Sequence, residues 1–513
     1  MSAELTSVAT AFETVEASPR AAQVEWLIDN ADAYRALVSA IRGAHRTIWI
    51  SQLALDADCI AYDVVTASRT HRGSTLLVSE LLAAARRGVQ VRILLNTSLL
   101  LDTAAPLRVH LASAGAERHR VRVRGVSRFP QLLHAKMVIV DEEEAFLVGS
   151  PFANGYWDDT RHAPVDKRRP DRELGGRPVH DVSTRLTGSP AELLGEIFAE
   201  MWNNAENVCD GDHERLAVSS PRDRDDEDAA TRIVRTAPGD GPMEILPALL
   251  DGIARARTLI YIEHQYLSAR LVVDALVRAL ENHRALEIVV VLNQNPDVTA
   301  YRGWQNARLR EAGLLDHPRV GLFALWTSAI EPASGRRQLN QLFVHSKVVS
   351  IDDRWATVGS ANLDGVSLHS YGHDFTGVLG RRIFRDVRNF DVNAVIDSRH
   401  GGAQVAERVR ALRARLWQEH LGTSFHAAGS RPNGGWLPLW RSVAARNVEA
   451  LGRSQPAPFL DRSFVLPYST RSTPRAQLAD AGVLFAPASL ELCFEPSWLE
   501  VHFSPNWFRN MFA

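Results

Sequence analysis

One pattern of eight residues occurs twice in this chain of 513 residues, and it constrains the fold more than any other feature. The pattern is His-x-Lys-x-x-x-x-Asp, with His134, Lys136 and Asp141 in the first copy and His345, Lys347 and Asp352 in the second. Each residue of the second copy lies 211 positions after its counterpart. A repeat on this scale predicts two similar lobes, each of which brings one copy to a shared interface.

Lysine usage sets the two copies apart from a chance repeat. The chain has 58 lysines and arginines, of which Lys136, Lys167 and Lys347 are the only lysines. Arginine serves almost everywhere else, yet both copies keep lysine at the same position. Because a compact ammonium and a planar guanidinium are not interchangeable, this usage indicates one chemical role for Lys136 and Lys347.

Each copy lies in an apolar run that is typical of a buried strand. Side chains two residues apart share a strand face, so we expect His134 and Lys136 to point the same way, and the second pair likewise. Each copy is followed by a Gly-Ser pair, Gly149-Ser150 and Gly359-Ser360. A cationic side chain beside a small residue that exposes its backbone favours a site for an anion.

Composition narrows the class of protein. The formal net charge is −2 and the sequence pI about 6.8, which argues against a general nucleic-acid binder, since such proteins usually carry a basic excess. No apolar stretch approaches the roughly 18 residues of a spanning helix, and the first residues lack a secretory signal. The three cysteines show no metal or redox spacing. We therefore expect a cytoplasmic or peripheral membrane protein, with export by a signal-less route as an alternative.

Helical and strand patterns alternate in both halves, which predicts an α/β fold. The predicted order of helix, strand, helix and strand up to Leu95 recurs from Ile253 to Asn293. A charge run and a turn-like segment separate the halves, and a Trp-rich segment follows the second half. We expect its tryptophans to pack onto the body, with a membrane interface as the alternative; they are Trp436, Trp440, Trp498 and Trp507. The predicted parts are a flexible lead at 1–22, a first lobe at 23–209, a linker at 210–241, a second lobe at 242–422 and a C-terminal extension at 423–513.

The doubled motif and the Gly-Ser pairs resemble those of the phospholipase D superfamily, over most of residues 20–422. The resemblance implies two phospholipase D-like lobes, each a mixed β-sheet flanked by helices, related by an approximate two-fold axis around one site. It also implies a phosphohistidine mechanism, in which one histidine attacks phosphorus and the other protonates the leaving oxygen. Members with two motifs tend to use the N-terminal histidine as the nucleophile, here His134, with His345 as the acid.

The resemblance assigns further residues. The two lysines would neutralise phosphate oxygens, with Asn362 and the hydroxyls of Ser150 and Ser360 as added donors. The family places an acidic residue downstream of each motif to hold the histidine, and Asp181 and Asp374 occupy the matching positions. The motif aspartates, Asp141 and Asp352, are counted with the catalytic set, although fixing the motif turn is the role we favour for them. No metal and no cofactor is expected, because His-x-Lys is poor metal spacing.

The first half departs from the family pattern, since Phe152 stands where Asn362 stands in the second half. The segments 155–162 and 260–266 resemble the branch of the family that cleaves phospholipids. Within the second segment, Glu263 and Gln265 are candidate pocket residues, with a plain strand flank as an equal alternative.

We therefore expect a phospholipase D-type phosphodiesterase that cleaves the distal phosphodiester of a glycerophospholipid. The products would be phosphatidic acid and a head-group alcohol, or a transphosphatidylation product when a second alcohol replaces water. The competing interpretations are a nucleic-acid phosphodiesterase, a phospholipid synthase of the same superfamily and a lipid-binding module with inactive motifs. The expected partners are the phospholipid substrate and, transiently, a membrane surface; we expect a monomer that does not bind nucleic acid.

Overall fold

The first half of the chain forms a sheet flanked by helices in the computed structural model. The described residues are 23–61, 75–98, 101–126, 131–170, 174–206, 208–209, 211–217, 230–373, 378–422, 431–432, 434–452, 458–483 and 490–495. The strands of this half are β1 (Val24–Ile28), β2 (Thr47–Gln52), β3 (Gln90–Ser98), β4 (Leu101–Asp102), β5 (Val121–Val126), β6 (Met137–Val140), β7 (Glu144–Leu147), β8 (Val179–His180) and β9 (Val182–Thr187). Its helices are α1 (Asp29–Gly43), α2 (Leu77–Arg86), α3 (Ala104–Ser113) and α4 (Ser189–Asn203).

The second half repeats this plan and adds a C-terminal layer. Its strands are β10 (Thr231–Thr236), β11 (Leu259–His264), β12 (Glu287–Leu292), β13 (Val320–Ile330), β14 (Arg337–Gln341), β15 (Phe343–Val344), β16 (Lys347–Ile351), β17 (Trp355–Gly359), β18 (Asp391–Asp397), β19 (Ser463–Pro467) and β20 (Leu490–Leu492). Its helices are α5 (Ile245–Arg255), α6 (Arg270–Asn282), α7 (Thr299–Glu311), α8 (Gly365–Leu368), α9 (Val378–Ile383), α10 (Ser398–Leu421), α11 (Trp436–Leu451) and α12 (Pro474–Asp480).

The two main sheets have the same strand order. The first runs β1-β9-β7-β6-β2-β3, and the second runs β10-β18-β17-β16-β11-β12. In each sheet the motif strand, β6 or β16, is antiparallel to both its neighbours, whereas the next pair, β2–β3 or β11–β12, is parallel. The expected pair of mixed α/β lobes is thus confirmed.

One apolar core crosses from lobe to lobe. It contains Leu147 and Val182 from the first sheet together with Val358 and Ala394 from the second, all buried. Backbone pairing also links the halves, since β8 pairs with β15 in parallel and Leu133 forms a bridge with Phe390. The two motifs are therefore fixed relative to each other by packing and by backbone hydrogen bonds.

The motif strands begin later than the apolar runs predict. His134 and Lys136 precede β6, and His345 lies between β15 and β16, so only Lys347 belongs to a regular strand. The reason is that the histidine amides bond across the lobes: His134 N–H donates to Phe390 O at 2.9 Å, and His345 N–H donates to His180 O at 2.8 Å. The expectation that each pair lies on one regular strand face is wrong in this respect.

The C-terminal segment completes the second sheet. Strand β19 pairs with β13, and β20 pairs with β14. Trp436 and Trp440 of α11 are buried, and their rings lie 5.1 and 5.2 Å from that of Trp417 on α10. These two tryptophans therefore belong to the core, while Trp498 and Trp507 lie outside the described residues. No helix in the described part of the chain combines the length and apolarity needed to cross a bilayer.

Candidate active site

The imidazole of His134 is held by a carboxylate from the second lobe. Its Nδ1 lies 2.7 Å from Oδ1 of Asp391, the first residue of β18. Ser360 Oγ donates to the same carboxylate oxygen at 2.8 Å. Among the described residues, the acidic partner of this histidine is therefore Asp391, while Asp374 lies outside them.

The imidazole of His345 is held in the mirrored way by the first lobe. Its Nδ1 lies 3.0 Å from Oδ2 of Asp181 and 3.2 Å from Ser150 Oγ. Ser150 Oγ also donates a short hydrogen bond to Asp181. Each lobe thus supplies a histidine to its own motif and a carboxylate to the motif of the other lobe.

The glycines of the two Gly-Ser pairs make room for these contacts. A Cβ at Gly149 would collide with the carboxylate of Asp181, and a Cβ at Gly359 would collide with the backbone of β18 near Asn393. The small residue before each serine is therefore required by close packing, and it lets the serine hydroxyl reach the carboxylate.

Both motif lysines are buried, and the charge of Lys347 acts on Lys136. Lys136 is 1% and Lys347 0% exposed. Burial, followed by repulsion from Lys347, lowers the pKa of Lys136 well below its usual value. Burial also lowers the pKa of Lys347 to about 8, although Asp181 acts in the opposite direction. Two ammonium groups confined together in a low-dielectric site favour a bound anion.

The low pKa values of both motif histidines favour the neutral ring at pH 7. Burial, and then Lys136, lower the pKa of His134 to about 4, against the opposing effect of Asp391. Burial and Lys347 lower the pKa of His345 to about 3, against Asp181. Each ring is also affected by the lysine of the opposite lobe. The two histidines and two lysines therefore form one electrostatic unit, and a neutral imidazole is the form that can attack phosphorus.

The motif aspartates lie at hairpin turns, away from the imidazoles. Asp141 accepts backbone N–H groups of His45, Arg46 and Thr47 at 2.7–2.9 Å. Asp352 likewise accepts backbone N–H groups of residues 257–259. Both have a left-handed backbone, with φ of 54° and 53°, which aspartate tolerates better than most residues. These contacts fit the role of fixing the motif turn.

The remaining phosphate-contact candidates differ between the halves. Asn362 is 5% exposed, and its Oδ1 has no hydrogen-bond partner. Phe152, its counterpart, is buried with its ring 5.8 Å from that of Tyr34. Ser150 Oγ donates to Asp181 and Ser360 Oγ donates to Asp391, the carboxylates that hold the two histidines. Their direct contact with phosphate stays a prediction.

Glu263 and Gln265 have different surroundings. Glu263 is fully buried, accepts a hydrogen bond from Ser346 Oγ and lies 2.8 Å from His180 Nε2. The Glu263 carboxylate therefore contacts Ser346, the residue after His345, and a pocket role for Glu263 stays a prediction. Gln265 Nε2 donates to Asp297 at 3.1 Å, so its amide is oriented by a second carboxylate.

Glu263 belongs to a buried network of imidazoles and carboxylates behind the second motif. Four residues, Asp29, His162, His180 and Glu419, present ligand atoms within 4.8 Å of one another. A tetrahedral zinc site would separate its ligand atoms by about 3.3 Å. Instead, His162 Nε2 lies 2.9 Å from Glu419 and His180 Nδ1 lies 2.9 Å from Asp29, which are hydrogen-bond distances. The residues as placed fit charged hydrogen bonds better than a metal.

The network also fixes protonation states next to the site. Burial opposes the charged form of His180, but Glu263, Glu419 and Asp29 outweigh it and raise its pKa well above the usual value. His180 precedes Asp181 and accepts the amide N–H of His345 through its carbonyl. A charged His180 is therefore bonded into the backbone that carries both members of the His345–Asp181 pair.

Asp391 is the functional residue that motif reading misses, although the sequence holds a signal for it. Asp391 lies 210 positions after Asp181, the same separation as between Ser150 and Ser360. Both aspartates are followed by valine, Val182 and Val392. The separation of 210 positions between the two Gly-Ser serines, applied to Asp181, therefore points to Asp391.

Comparisons with known proteins identify the family of the chain. A family profile described as "Cardiolipin synthase, PLD-like domain" matches residues 37–154 and 249–417. The chain is 24% identical over 475 residues to phospholipase D A of Dictyostelium discoideum, covering 78% of this chain and 35% of that protein. It is 24% identical over 380 residues to cardiolipin synthase B of Escherichia coli (strain K12), covering 72% of this chain and 76% of that protein.

A solved structure shares the fold. Phosphatidylserine synthase of Haemophilus influenzae Rd KW20 superimposes with a TM-score of 0.50 over 76% of this chain and 85% of that one. The two sequences are 13% identical, so this likeness supports the arrangement of the lobes and nothing finer.

Proposed function

The chain belongs to the phospholipase D superfamily, and from that premise we propose that it transfers the phosphatidyl group of a glycerophospholipid through a phosphohistidine. The acceptor is water, giving phosphatidic acid, or an alcohol, giving a new phosphodiester. The observation that carries the proposal is the pair of crossed contacts, His134–Asp391 and His345–Asp181. They build one site with two oriented imidazoles and two lysines.

The first half-reaction forms a covalent intermediate. Nε2 of one neutral imidazole attacks phosphorus, and the new N–P bond forms as the P–O bond to the head group breaks. The other imidazole, as imidazolium, gives its proton to the departing oxygen. In the second half-reaction that imidazole takes a proton from the acceptor, whose oxygen attacks phosphorus and breaks the N–P bond. Nδ1 of each ring is held by Asp391 or Asp181, so we assign the chemistry to Nε2, which in His345 lies 3.2 Å from Lys347 Nζ.

The acid must gain its proton when substrate binds. Because the pKa of His134 is about 4 and that of His345 about 3, the neutral form of each ring dominates at pH 7 before substrate binds. A bound phosphate adds negative charge beside them, which raises the pKa of an imidazole. The same charge favours the ammonium form of both lysines, and these neutralise the phosphate oxygens in the transition state.

We assign attack to His134 and proton donation to His345. A nitrophenyl phosphodiester separates the roles, because nitrophenolate departs without a proton. His345→Ala should then keep a burst of nitrophenol and trap a phosphoenzyme, whereas His134→Ala should do neither. The opposite pattern would exchange the two roles.

A phospholipid synthase is the second candidate, favoured by the profile match over 37–154 and 249–417 and by the likeness to cardiolipin synthase B. Both candidates share the phosphatidyl-enzyme and differ in the acceptor. A synthase would use the hydroxyl of a second phospholipid, such as phosphatidylglycerol.

One experiment separates the candidates. The purified protein is offered phosphatidylcholine, phosphatidylethanolamine or phosphatidylglycerol, with and without ethanol, and single-stranded DNA in a parallel reaction. Phosphatidic acid or phosphatidylethanol would support the first candidate, and cardiolipin from phosphatidylglycerol alone would support the second. Cleavage of DNA with no lipid turnover would contradict both.

We also propose that catalysis needs no metal, because the motif residues include no cluster with zinc or calcium spacing. Turnover should survive a chelator. Complete loss, restored by one divalent ion, would contradict this; a partial calcium effect would instead report on the lipid surface. A monomeric state remains part of the proposal, to be measured by light scattering.

A further inference from the structure

A short exposed segment combines aliphatic and basic side chains beside the active site. Val378, Leu379 and Ile383 of α9 are 83%, 71% and 60% exposed. Few large hydrophobic side chains in the described residues are exposed to this degree. The same segment holds three exposed arginines, Arg381, Arg382 and Arg385, the last of which also pairs with the exposed Asp386 at 3.4 Å. We call residues 378–385 the apolar-basic segment.

Backbone hydrogen bonds tie this segment to the His134 side of the site. Gly372 N–H donates to Phe384 O at 2.9 Å, and Tyr371 N–H donates to Val387 O at 2.9 Å. The chain continues directly to Phe390, whose carbonyl accepts the amide of His134, and then to Asp391. Only five residues separate Arg385 from the carboxylate that holds His134.

A row of aromatic rings ties the segment to the other side of the site. Tyr266 follows the end of β11, whose His264 pairs with Lys347. The rings follow one another in the order Tyr266, Tyr301, Trp304, Tyr371 and Phe384. The distances between successive ring centroids are 4.2, 5.1, 6.2 and 5.5 Å. The first two rings are buried and the last three are partly exposed. The row thus leads from the interior of the site to the apolar-basic segment.

We infer that the apolar-basic segment inserts into the surface of an anionic bilayer and holds the active site at the lipid. This inference rests on the proposed lipid substrate. Aliphatic side chains gain by entering the boundary between head groups and acyl chains, and flanking arginines gain from anionic lipids. A protein partner is a poorer fit, because specific protein interfaces bury at least about 1,000 Å² and are enriched in aromatic residues at their centre.

Vesicle sedimentation tests the inference with the full-length protein. The combined variant Val378→Ser, Leu379→Ser and Ile383→Ser should bind phosphatidylglycerol vesicles at least about tenfold more weakly than the wild type. A second combined variant, Arg381→Gln, Arg382→Gln and Arg385→Gln, should lose about 100-fold on these vesicles, since each arginine near an anionic surface contributes about 1 kcal/mol. The arginine variant should bind neutral phosphatidylcholine vesicles as the wild type does.

A matched control removes other exposed aliphatic side chains. The combined variant Val109→Ser, Val165→Ser and Met243→Ser loses residues that are 70%, 58% and 41% exposed, and it should bind vesicles like the wild type. An equal loss in this control, or unchanged sedimentation of the first variant, would overturn the inference. Failure of the wild type to sediment with anionic vesicles would overturn it as well, and would point to a protein partner.

Activity separates this inference from the proposed function. With dihexanoyl phosphatidylglycerol dissolved as monomers, the Val378, Leu379 and Ile383 variant should keep wild-type turnover within about twofold, because the catalytic residues are untouched. With vesicles of long-chain lipid it should lose at least about tenfold. If the wild type turned over neither form, the proposed function would fail, while the sedimentation result would still decide what the segment binds.

Discussion

Each motif imidazole contacts one carboxylate from the opposite lobe. Asp391 and Asp181 are almost fully buried, and each also accepts a serine hydroxyl. A carboxylate in this position fixes the tautomer of the ring and stabilises the imidazolium that forms during the reaction. These two aspartates should therefore affect the rate of the chemical step and not substrate binding.

Replacement of Asp391 tests this role. Asp391→Asn keeps the shape of the side chain but presents the wrong hydrogen-bond pattern to His134, so kcat should fall by at least about 100-fold with little change in KM. Steady-state kinetics on a dissolved short-chain phospholipid measures both. Asp374→Asn serves as the comparison and should keep kcat within about threefold. The reverse order of losses would return the supporting role to Asp374.

The pKa of Lys347 predicts how activity depends on pH. Burial lowers this pKa to about 8, so the free protein loses a phosphate-neutralising charge as pH rises through that value. We expect kcat/KM to fall by up to about tenfold per pH unit between about pH 5 and 7, because one histidine must gain a proton, and to fall more steeply above about pH 8, where Lys347 also loses its proton. Lys347→Arg keeps its charge to higher pH and should abolish the added fall above pH 8, at a lower rate because the guanidinium has a different shape. An alkaline limb unchanged in the variant would assign it to another group.

At the residue scale, the sequence identifies the residues that recur 211 positions apart. His134, Lys136 and their repeats follow from the motif itself. Asp391 does not, because its separation from Asp181 is one residue shorter than that between the motifs. The number of residues between the motif and the downstream aspartate is therefore smaller by one in the second lobe. Only the contacts between the lobes show which aspartate holds which histidine.

Among the secondary-structure elements, the hairpin after each motif strand is fixed by a motif aspartate. Asp141 accepts three backbone N–H groups at the start of β2, and Asp352 does the same at β11. Burial would raise the pKa of Asp141, but the N–H groups of Thr47, His45 and Arg46 outweigh it and the pKa is lowered. The carboxylate thus stabilises the fold above its unfolded pKa, and the effect is lost as pH falls through the folded value.

Asp141→Ala should lower stability and leave catalysis almost intact. Loss of the acceptor for three backbone donors should cost about 1–3 kcal/mol in the free energy of unfolding at pH 7, and the deficit should shrink in acid. Urea unfolding followed by circular dichroism measures it, with Asp352→Ala as the repeat of the same change. A kcat reduced more than about 100-fold with unchanged stability would instead place the carboxylate at the substrate.

The buried network behind β11 gives a second prediction at this scale. Glu263→Gln removes one of the three carboxylates around His180 and the carboxylate that lies 2.7 Å from His420 Nε2. Because the buried network then carries a positive charge that is less fully compensated, the free energy of unfolding should fall by about 3–5 kcal/mol. Because the raised pKa of His180 stabilises the fold below its unfolded value and is lost as pH rises, the deficit should be largest near pH 6 and narrow above it. Glu143→Gln, which breaks only the exposed pair with Arg46, should cost under about 1 kcal/mol.

The sequence predicts the elements well where apolar periodicity sets them. The helix and the strand expected just before Leu95 are α2 and the first part of β3, and the strand expected to end at Asn293 is β12. The apolar pattern does not predict where the motif strands begin, because the residues before β6 and β16 are apolar for a different reason. They are buried between lobes, and their amides bond to Phe390 and His180 instead of continuing a sheet.

For the molecule as a whole, the two repeats form one unit. The core that contains Leu147 and Val358 is continuous across both sheets, and the catalytic groups of each motif are held from the other side. The repeat in the sequence predicts the two lobes and their shared interface. It does not predict that each lobe supplies the carboxylate that holds the other lobe's histidine. Those two contacts join residues that are separated by 164 and by 257 positions in the sequence.

Single and double replacement of the motif histidines tests the shared site most directly. If one site uses both, His134→Ala and His345→Ala should each lose at least about 1,000-fold in kcat/KM toward a natural phospholipid. The double variant should be no more than about threefold worse than either, because residues that act as a unit are not additive. Two independent sites would instead leave about half the activity in each single variant and abolish it only in the double variant.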